Sequence, residues 1–444
     1  MQLKPKQAAR PPAEGLTARR RLMAASCALL GATVARAESA RAAPAGGGLL
    51  DDWSLDSALA YYHEDGRVQA VEPVVAVSKA FADGETLEAN FTFDALSGAS
   101  PNGALTSRTA QTFASPSGKS LTAGRHTYTI APGQLPADPD YSDARVAVGA
   151  NWSVPVTRVT QVSVGGKLSY EDDFYSATVN ASIAHDFNDK NTTLSFGINN
   201  EFDALSPIGG TPVAGSNYAS FEKAGNKTKD GVGALLGVTQ VMTRHWLTEF
   251  NLSVDRFKGY ENDPYKITSL IDAAGDTTGY VYESRPDQRT RKSAFWDNRV
   301  GWDTLSFAVS ARYMSDDWGV RSDTAQLHVR WSLSDRDRFI EPTVRWYRQT
   351  AADFYTPWIM NSAAPATGYE SSDSRLAAFH ALTYGLKYAQ KLSPYRFLPG
   401  SEFNVRVEYY QQTYHERMAV PQALQGLDLY PGLKAILVQV GWRF

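Results

Sequence analysis

The chain has 444 residues, one cysteine, and 44 basic against 47 acidic side chains, for a formal net charge of −3. A single thiol excludes a disulfide framework and a cysteine-ligated zinc site, and the absence of a basic excess argues against a nucleic-acid partner. The mean hydropathy is polar, which does not exclude a membrane protein, because a barrel strand alternates lipid-facing apolar and lumen-facing polar residues.

Residues 1–37 read as a cleaved secretion signal. Arg19, Arg20 and Arg21 form a basic region, and Leu22 to Val34 an apolar stretch too short to remain as a spanning helix. Ala35-Arg36-Ala37 supplies a small-x-small cleavage pattern before Glu38, and a second such pattern lies at Ala40 to Ala43. The expected route is general secretion, because the twin-arginine route carries folded proteins and a barrel must cross unfolded. Cys27 has few apolar residues before it, which argues against lipidation. Residues 1–37 hold seven basic residues and one acid, so the chain beyond them carries −9 and has no thiol. Residues 38–53 are expected to form a short periplasmic segment, and 54–444 the barrel.

From about residue 54 onward, stretches of ten or so residues alternate apolar and polar, the signature of a half-buried strand. Sixteen such strands are predicted, at 55–63, 68–81, 85–94, 143–154, 158–170, 174–186, 191–202, 231–242, 245–257, 289–301, 304–314, 319–333, 338–350, 376–391, 401–415 and 433–444. Leu87, Ala89, Phe91 and Phe93 oppose Glu88, Asn90 and Asp94. Trp246, Phe250, Leu252 and Val254 oppose Glu249, Asn251, Ser253 and Asp255.

The connections test this assignment. The long ones, 95–142, 203–230, 258–288, 351–375 and 416–432, are all odd-numbered, and every even one is short. A soluble sandwich has no reason to sort loops by parity. A transmembrane antiparallel barrel has one, with short periplasmic turns and long external loops. The loop 95–142 is rich in Ser, Thr, Gly and Pro, residues that favour tight turns. It is expected either to fold inward as a plug or to lie outside as a disordered loop. At the end of the chain, Ile436, Val438, Val440, Trp442 and Phe444 share one face. Trp442 and the terminal Phe444 resemble the signal by which barrel proteins are recognised by the barrel-assembly machinery.

Five segments resemble an uncharacterised bacterial family, domain-of-unknown-function family thirty-five seventy. They are Asp94-Ala95-Leu96-Ser97-Gly98-Ala99-Ser100-Pro101, Tyr141-Ser142-Asp143-Ala144-Arg145, Tyr170-Glu171-Asp172-Asp173-Phe174-Tyr175-Ser176, Tyr313-Met314-Ser315-Asp316-Asp317-Trp318-Gly319 and Arg348-Gln349-Thr350-Ala351-Ala352-Asp353-Phe354-Tyr355. The resemblance implies a barrel in the outer membrane of a Gram-negative cell. It also implies a setting beside flavin-transferase, thioredoxin-like and small lipoprotein genes, hence an envelope redox or metal system with a periplasmic redox or lipoprotein partner. It transfers no catalytic residue.

The paired acids Asp172-Asp173 and Asp316-Asp317 fall at tight external turns. They read either as solvated turn acids or as a divalent-cation or lipopolysaccharide-bridging site, since hard cations take carboxylate oxygen. The expected bore lining includes the basic Arg145, Lys167, Arg299, Arg312, Arg330, Arg345 and Arg406, the acidic Glu249, Glu341 and Glu408, and His328. The seven histidines show no pair at metal-ligand spacing. Ser176 or Ser182 with His185 are the only candidates for a rim hydrolase, and no nucleophile motif supports them. No cofactor is expected. Three functions follow: a porin-like channel or solute-binding barrel, a non-conducting anchor in an envelope redox or metal system, and, last, a hydrolase. The expected surroundings are outer-membrane lipid and lipopolysaccharide.

Overall fold

The computed structural model describes residues 52–114, 127–207, 209–220, 222–333, 337–361, 367–392, 401–415 and 419–444. The expected signal peptide, Cys27 and nearly all of segment 38–53 lie outside the described residues.

Sixteen strands close into one antiparallel barrel. They are β1 Trp53–Glu64, β2 Val68–Ala80, β3 Thr86–Pro101, β4 Ala137–Pro155, β5 Thr160–Tyr170, β6 Phe174–Phe187, β7 Thr192–Leu205, β8 Lys227–Thr243, β9 Trp246–Gly259, β10 Gln288–Gly301, β11 Leu305–Asp316, β12 Arg321–Ser332, β13 Arg338–Gln349, β14 Phe379–Lys391, β15 Glu402–Tyr414 and β16 Leu433–Arg443. Each pairs with its neighbours in sequence, and β16 returns to β1 in the register Asp56↔Arg443 to Glu64↔Ala435. At this seam Phe444 and Leu55 exchange both backbone bonds, at 3.0 and 2.9 Å, and Arg443 pairs with Asp56. Closure matters because hydrocarbon offers no partner for a free N–H or C=O, so a spanning sheet tolerates no open edge.

Alternation sets the two faces. Trp152, Val164, Leu168, Val179, Ile183, Leu194, Phe196 and Ile198 point outward and stay exposed, while the residues between them turn inward. Trp53, Trp152, Trp246, Trp302 and Trp331 mark the short-turn end, and Tyr61, Tyr170, Tyr175 and Tyr313 the other, as aromatic girdles do at the two interfaces.

Loop length follows parity. The long connections are 102–136, 206–226, 260–287, 350–378 and 415–432, and all lie at one end. The first is shorter than the predicted 95–142. β3 runs on to Pro101 and β4 starts at Ala137, paired as Ser97↔Ser142 and Pro101↔Ala137. The run at Ser97–Pro101, read from composition as turns, is strand with a register shift between Gly98 and Ser100. Glycine within a strand marks a bulge or a close backbone approach. Gly98 has φ +126°, and a Cβ there would lie 2.5 Å from the Arg67 carbonyl oxygen.

The long loops fold together. Ile267–Ile271, Thr277–Tyr282 and Trp358–Met360 form a three-stranded sheet, in which the last strand comes from the β13–β14 loop and runs parallel to the first. Gln111–Ala114 pairs with Thr127–Ile130. One core gathers Ala104, Phe113, Tyr128, Ile130, Ile267 and Tyr282, and another Leu105, Ile271, Trp358 and Leu424. The β3–β4 and β9–β10 loops arise six strands apart on a ring of sixteen, yet Ile267 N–H bonds Asn102 O at 2.9 Å. Arg108 bonds the carbonyls of Ala423 at 2.8 Å and Gln425 at 2.6 Å in the β15–β16 loop. The described loop residues therefore form a packed cap bridging one mouth.

Candidate functional site

The bore has two unlike walls. On β3–β9 the inward residues are mostly small and polar, and they interlock. The Asn90 carboxamide lies against Gly149, Asn151 against Gly165, Asn199 against Gly233 and Asn251 against Gly237. Ser153 and Ser163 hydroxyls meet at 2.7 Å, and Ser163 is 2% exposed. On β10–β15 small inward residues such as Ala308, Ser310, Thr324 and Gly385 are interspersed with many long ones. They include Arg289, Arg291, Arg299, Arg312, Arg330, Arg345, Tyr347, Lys387, Arg406 and Tyr410.

All eleven residues predicted to line the bore alternate with outward apolar neighbours and fall on the inner face. Most are engaged. Arg145 pairs with Asp94, Arg299 with Asp297 at 2.7 Å, and Arg406 with Glu408 at 3.5 Å. Glu249, 5% exposed, accepts from Asn251 at 2.6 Å. His328 Nδ1 lies 3.0 Å from Thr343 Oγ1 and 3.5 Å from Glu341. The Arg330 guanidinium stacks on Phe339 at 3.6 Å. Lys167 is half-buried on β5.

Arg312 and Arg345 differ from these. Arg312 rests over the Phe295 ring at 5.3 Å and is exposed to the bore. In register it sits beside Thr324, and Arg345 beside Gln326, so the two guanidiniums flank β12 one row apart. The charge acting on Arg312 is the like charge of Arg345. Neither has a carboxylate partner among the described residues.

The cap holds an ion network built on the buried carboxylates Glu283 and Asp373, with Arg375 on its exposed side. Arg285 reaches Glu283 at 2.7 Å and Asp373 at 2.8 Å, and Arg375 reaches Asp373 at 2.5 Å and Asp263 at 2.6 Å. Burial opposes the charge of Asp373, but Arg375 and Arg285 override it and hold its carboxyl far below the usual carboxylate range. Glu370 has no such cation: burial, then the charge of Glu283, pushes it up to about 7.

The other candidates are not assembled as expected. Asp316 turns its Oδ2 to Arg289 at 2.5 Å and caps the turn by accepting from Trp318 and Val320 N–H at 3.1 and 2.9 Å. Asp317 accepts from Thr290 N–H at 2.8 Å. Asp173 accepts from the Tyr265 hydroxyl, and Asp172 is exposed. Beside them Glu171 is pushed up to about 7 by burial and then by Asp143. Among the described residues no three carboxylate or histidine side chains are placed to share a metal ion. The Asp316 oxygens are taken by a guanidinium and a turn, which accords with the reading of a turn acid at that position. Ser176 and Ser182 point into the bore, whereas His185 points outward to Thr160 Oγ1 at 2.8 Å, so β-strand alternation separates the hydrolase candidates.

The fold also makes a pair that spacing hid. His380 and His415, 35 residues apart, bring Nδ1 and Nε2 into contact, with ring centroids 4.2 Å apart. The β14–β15 register places them, and only a strand-pairing map would have found it.

The segments that carried the family resemblance tie barrel to cap. Trp318 packs on Phe354 at 5.1 Å, and Asp353 N–H bonds Trp318 O at 2.8 Å. Gly319 has φ +83°, and a Cβ there would lie 2.5 Å from Asp353 Cγ. Among solved structures the chain is similar to the outer membrane protein OpdK of Pseudomonas aeruginosa, at 11% identity and TM-score 0.41, over 89% of this chain and 100% of that one. It is similar to OccK2 (OpdF) of the same organism at 10% identity and TM-score 0.39, over 88% and 97%. The siderophore receptor PirA, also of Pseudomonas aeruginosa, matches at 8% identity and TM-score 0.38, over 81% of this chain and 56% of its own, so the chain spans little more than half of that receptor. None of these likenesses is close enough to carry an argument about function. No curated protein matches the sequence. Residues 19–444 match the family described as a protein of unknown function, DUF3570, and the chain belongs to that family.

Proposed function

We propose that the chain is an outer-membrane barrel that admits or holds a small anionic solute beneath a folded external cap. One observation carries the proposal. Among the described residues Arg312 and Arg345 face the bore side by side without a carboxylate partner, while Arg145, Arg299 and Arg406 each have one. Two unneutralised guanidiniums attract an anion, and their planar fork suits carboxylate or phosphate oxygens. Sixteen strands leave room for an aqueous bore. Planar-bilayer recording tests the proposal. Small conductance steps are expected, with a reversal potential favouring anions. Absence of steps from correctly folded protein would remove the channel, and cation preference would remove the role of the two arginines.

A second function, a non-conducting anchor, draws support from the cap, whose cross-loop bonds bridge the external mouth. Co-purification of a periplasmic redox protein or lipoprotein with a barrel that gives no conductance would favour it. Export by general secretion and recognition by the barrel-assembly machinery belong to the same proposal. The latter rests on Trp442 and Phe444, whose rings stack at 5.6 Å at the end of β16.

A further inference from the structure

The outer wall of β8–β11 is not uniformly bulky. Ala234, Val254, Lys292 and Ser315 stand side by side in register, and Leu236, Leu252, Ala294 and Tyr313 form the next row toward the midplane. The two alanines leave a hollow between the larger Phe196 and Tyr313, and a groove of about 430 Å³ occupies it. Its lining is apolar except at the external end, where Lys292 stands with no carboxylate partner among the described residues. One row further out is Arg256, exposed and bonded to Gln288 at 2.7 Å. Lys258 follows, opposite Asp230. Asp317 and Asp323 are the other acids at this end; one oxygen of Asp317 is taken by Thr290 N–H, and Asp323, beside Tyr313 in register, is bonded to Arg348 at 2.9 Å.

An apolar groove in a lipid-facing wall that ends in cations has a definite complement. We propose that it holds an acyl chain of a phosphorylated outer-leaflet lipid, whose phosphate is bound by Lys292 and Arg256. The hydrocarbon fills the hollow left by Ala234 and Ala294. The ammonium and the guanidinium donate charge-assisted hydrogen bonds to phosphate oxygens at the interface. A second copy of the chain is a poorer occupant, because a dimer over this groove would bury the Lys292 ammonium unpaired. One of the two readings of Asp172 and Asp173 reaches lipopolysaccharide through bridging cations, whereas this site reaches lipid phosphate directly, on another part of the rim.

The test is native mass spectrometry of the full barrel in detergent with defined lipids: bis-phosphorylated lipid A, the same lipid dephosphorylated, and phosphatidylethanolamine. Wild type is expected to retain the phosphorylated lipid at least tenfold better than the dephosphorylated one. Lys292→Glu with Arg256→Glu should abolish that preference, while Lys434→Glu, exposed on β16 across the ring, should leave it intact. Ala294→Trp, which fills the hollow, should remove retention although both cations remain; Ala294→Leu serves if the tryptophan variant does not insert. Equal retention of phosphorylated and dephosphorylated lipid would overturn the phosphate contact. Undiminished retention in folded Ala294→Trp or Ala294→Leu would overturn the groove. A lipid-free wild-type dimer that Ala294→Trp dissociates would replace the lipid by a second copy.

Discussion

The two walls of the bore share one strand geometry and differ in the length of what points inward. On β3–β9, Gly, Ser, Thr and Asn fit tooth against socket, so that Asn251, 4% exposed, fills the space over Gly237. On β10–β15, Arg312, Arg345 and Tyr347 extend into the bore, and Arg312 remains exposed there. Short side chains can satisfy only their neighbours, so the first wall is structural. Long side chains leave their charged ends free to meet something else, so the chemistry is concentrated on the second.

The broadest challenge to this contrast is to the inside–outside assignment itself. Val438 points outward in the middle of β16. An arginine on the lipid face near the midplane costs about 2–4 kcal/mol, so Val438→Arg should sharply reduce folded yield and lower the urea midpoint. A harmless Val438→Arg would break the assignment. Between the walls, Gly233→Val should cost about 1–3 kcal/mol by overpacking. Its Cβ would lie 2.6 Å from Asp255 Oδ1 and closer still to the Asn199 carboxamide. Ala308→Val on β11, facing the wider side, should fall within about 0.5 kcal/mol of wild type in the same unfolding assay. Equal losses would mean that the walls are packed alike.

Arg345→Glu and Arg312→Glu should leave heat-modifiable folding intact, because neither residue holds a carboxylate in place. Each should move the reversal potential toward cations, and the pair together should invert ion preference. Unfolding of these variants would make the second wall structural too.

Strand positions were legible because a wall with lipid on one face and water on the other writes period two into the chain. Leu194, Phe196 and Ile198 of β7 and Phe250, Leu252 and Val254 of β9 alternate cleanly with polar or small residues, whereas β10 breaks the pattern with Lys292 outside and Phe295 inside. The cap was not legible. Leu105, Ile271, Trp358 and Leu424 come from four loops, each with an apolar run too short to signal a core, and only their convergence makes one. Nor does sequence reveal partners. Arg299 and Arg345 look alike as letters, and the fold gives Asp297 to one and no carboxylate to the other.

The cap offers finer tests. Glu370, raised to about 7 by burial and by Glu283, keeps its proton in the folded cap after the unfolded chain has released it. The contribution of Glu370 to cap stability should therefore decline as pH rises from the ordinary carboxylate range toward about 7 and level off above it, while Asp373, held low by Arg375 and Arg285, loses its own contribution only on strong acidification. The protection factors of residues 267–282, corrected for the intrinsic rise of amide exchange with pH, should be several-fold lower at pH 8 than at pH 5.5, and Glu370→Gln should reduce that difference. An unchanged slope would assign the effect elsewhere. The smallest effect belongs to Arg348, whose bond to Asp323 at 2.9 Å is exposed on both sides. Arg348→Ala should cost at most about 1 kcal/mol, read from the same urea midpoint.

The seam between β1 and β16 has a kinetic consequence. Every other pairing in the barrel joins strands adjacent in the chain, and the formation of each hairpin can follow the last. Leu55 and Phe444, by contrast, meet across almost the whole described sequence. Loop-closure entropy grows only slowly with length, so the obstacle at this step is less the search than the waiting: until the final residue arrives, two strand edges stay unpaired and open to wrong partners. The last step of barrel formation is thus a single act of ring closure between the first and last strands of the sheet, and loss of the β16 pairing from Asp56↔Arg443 to Glu64↔Ala435 would leave an open sheet.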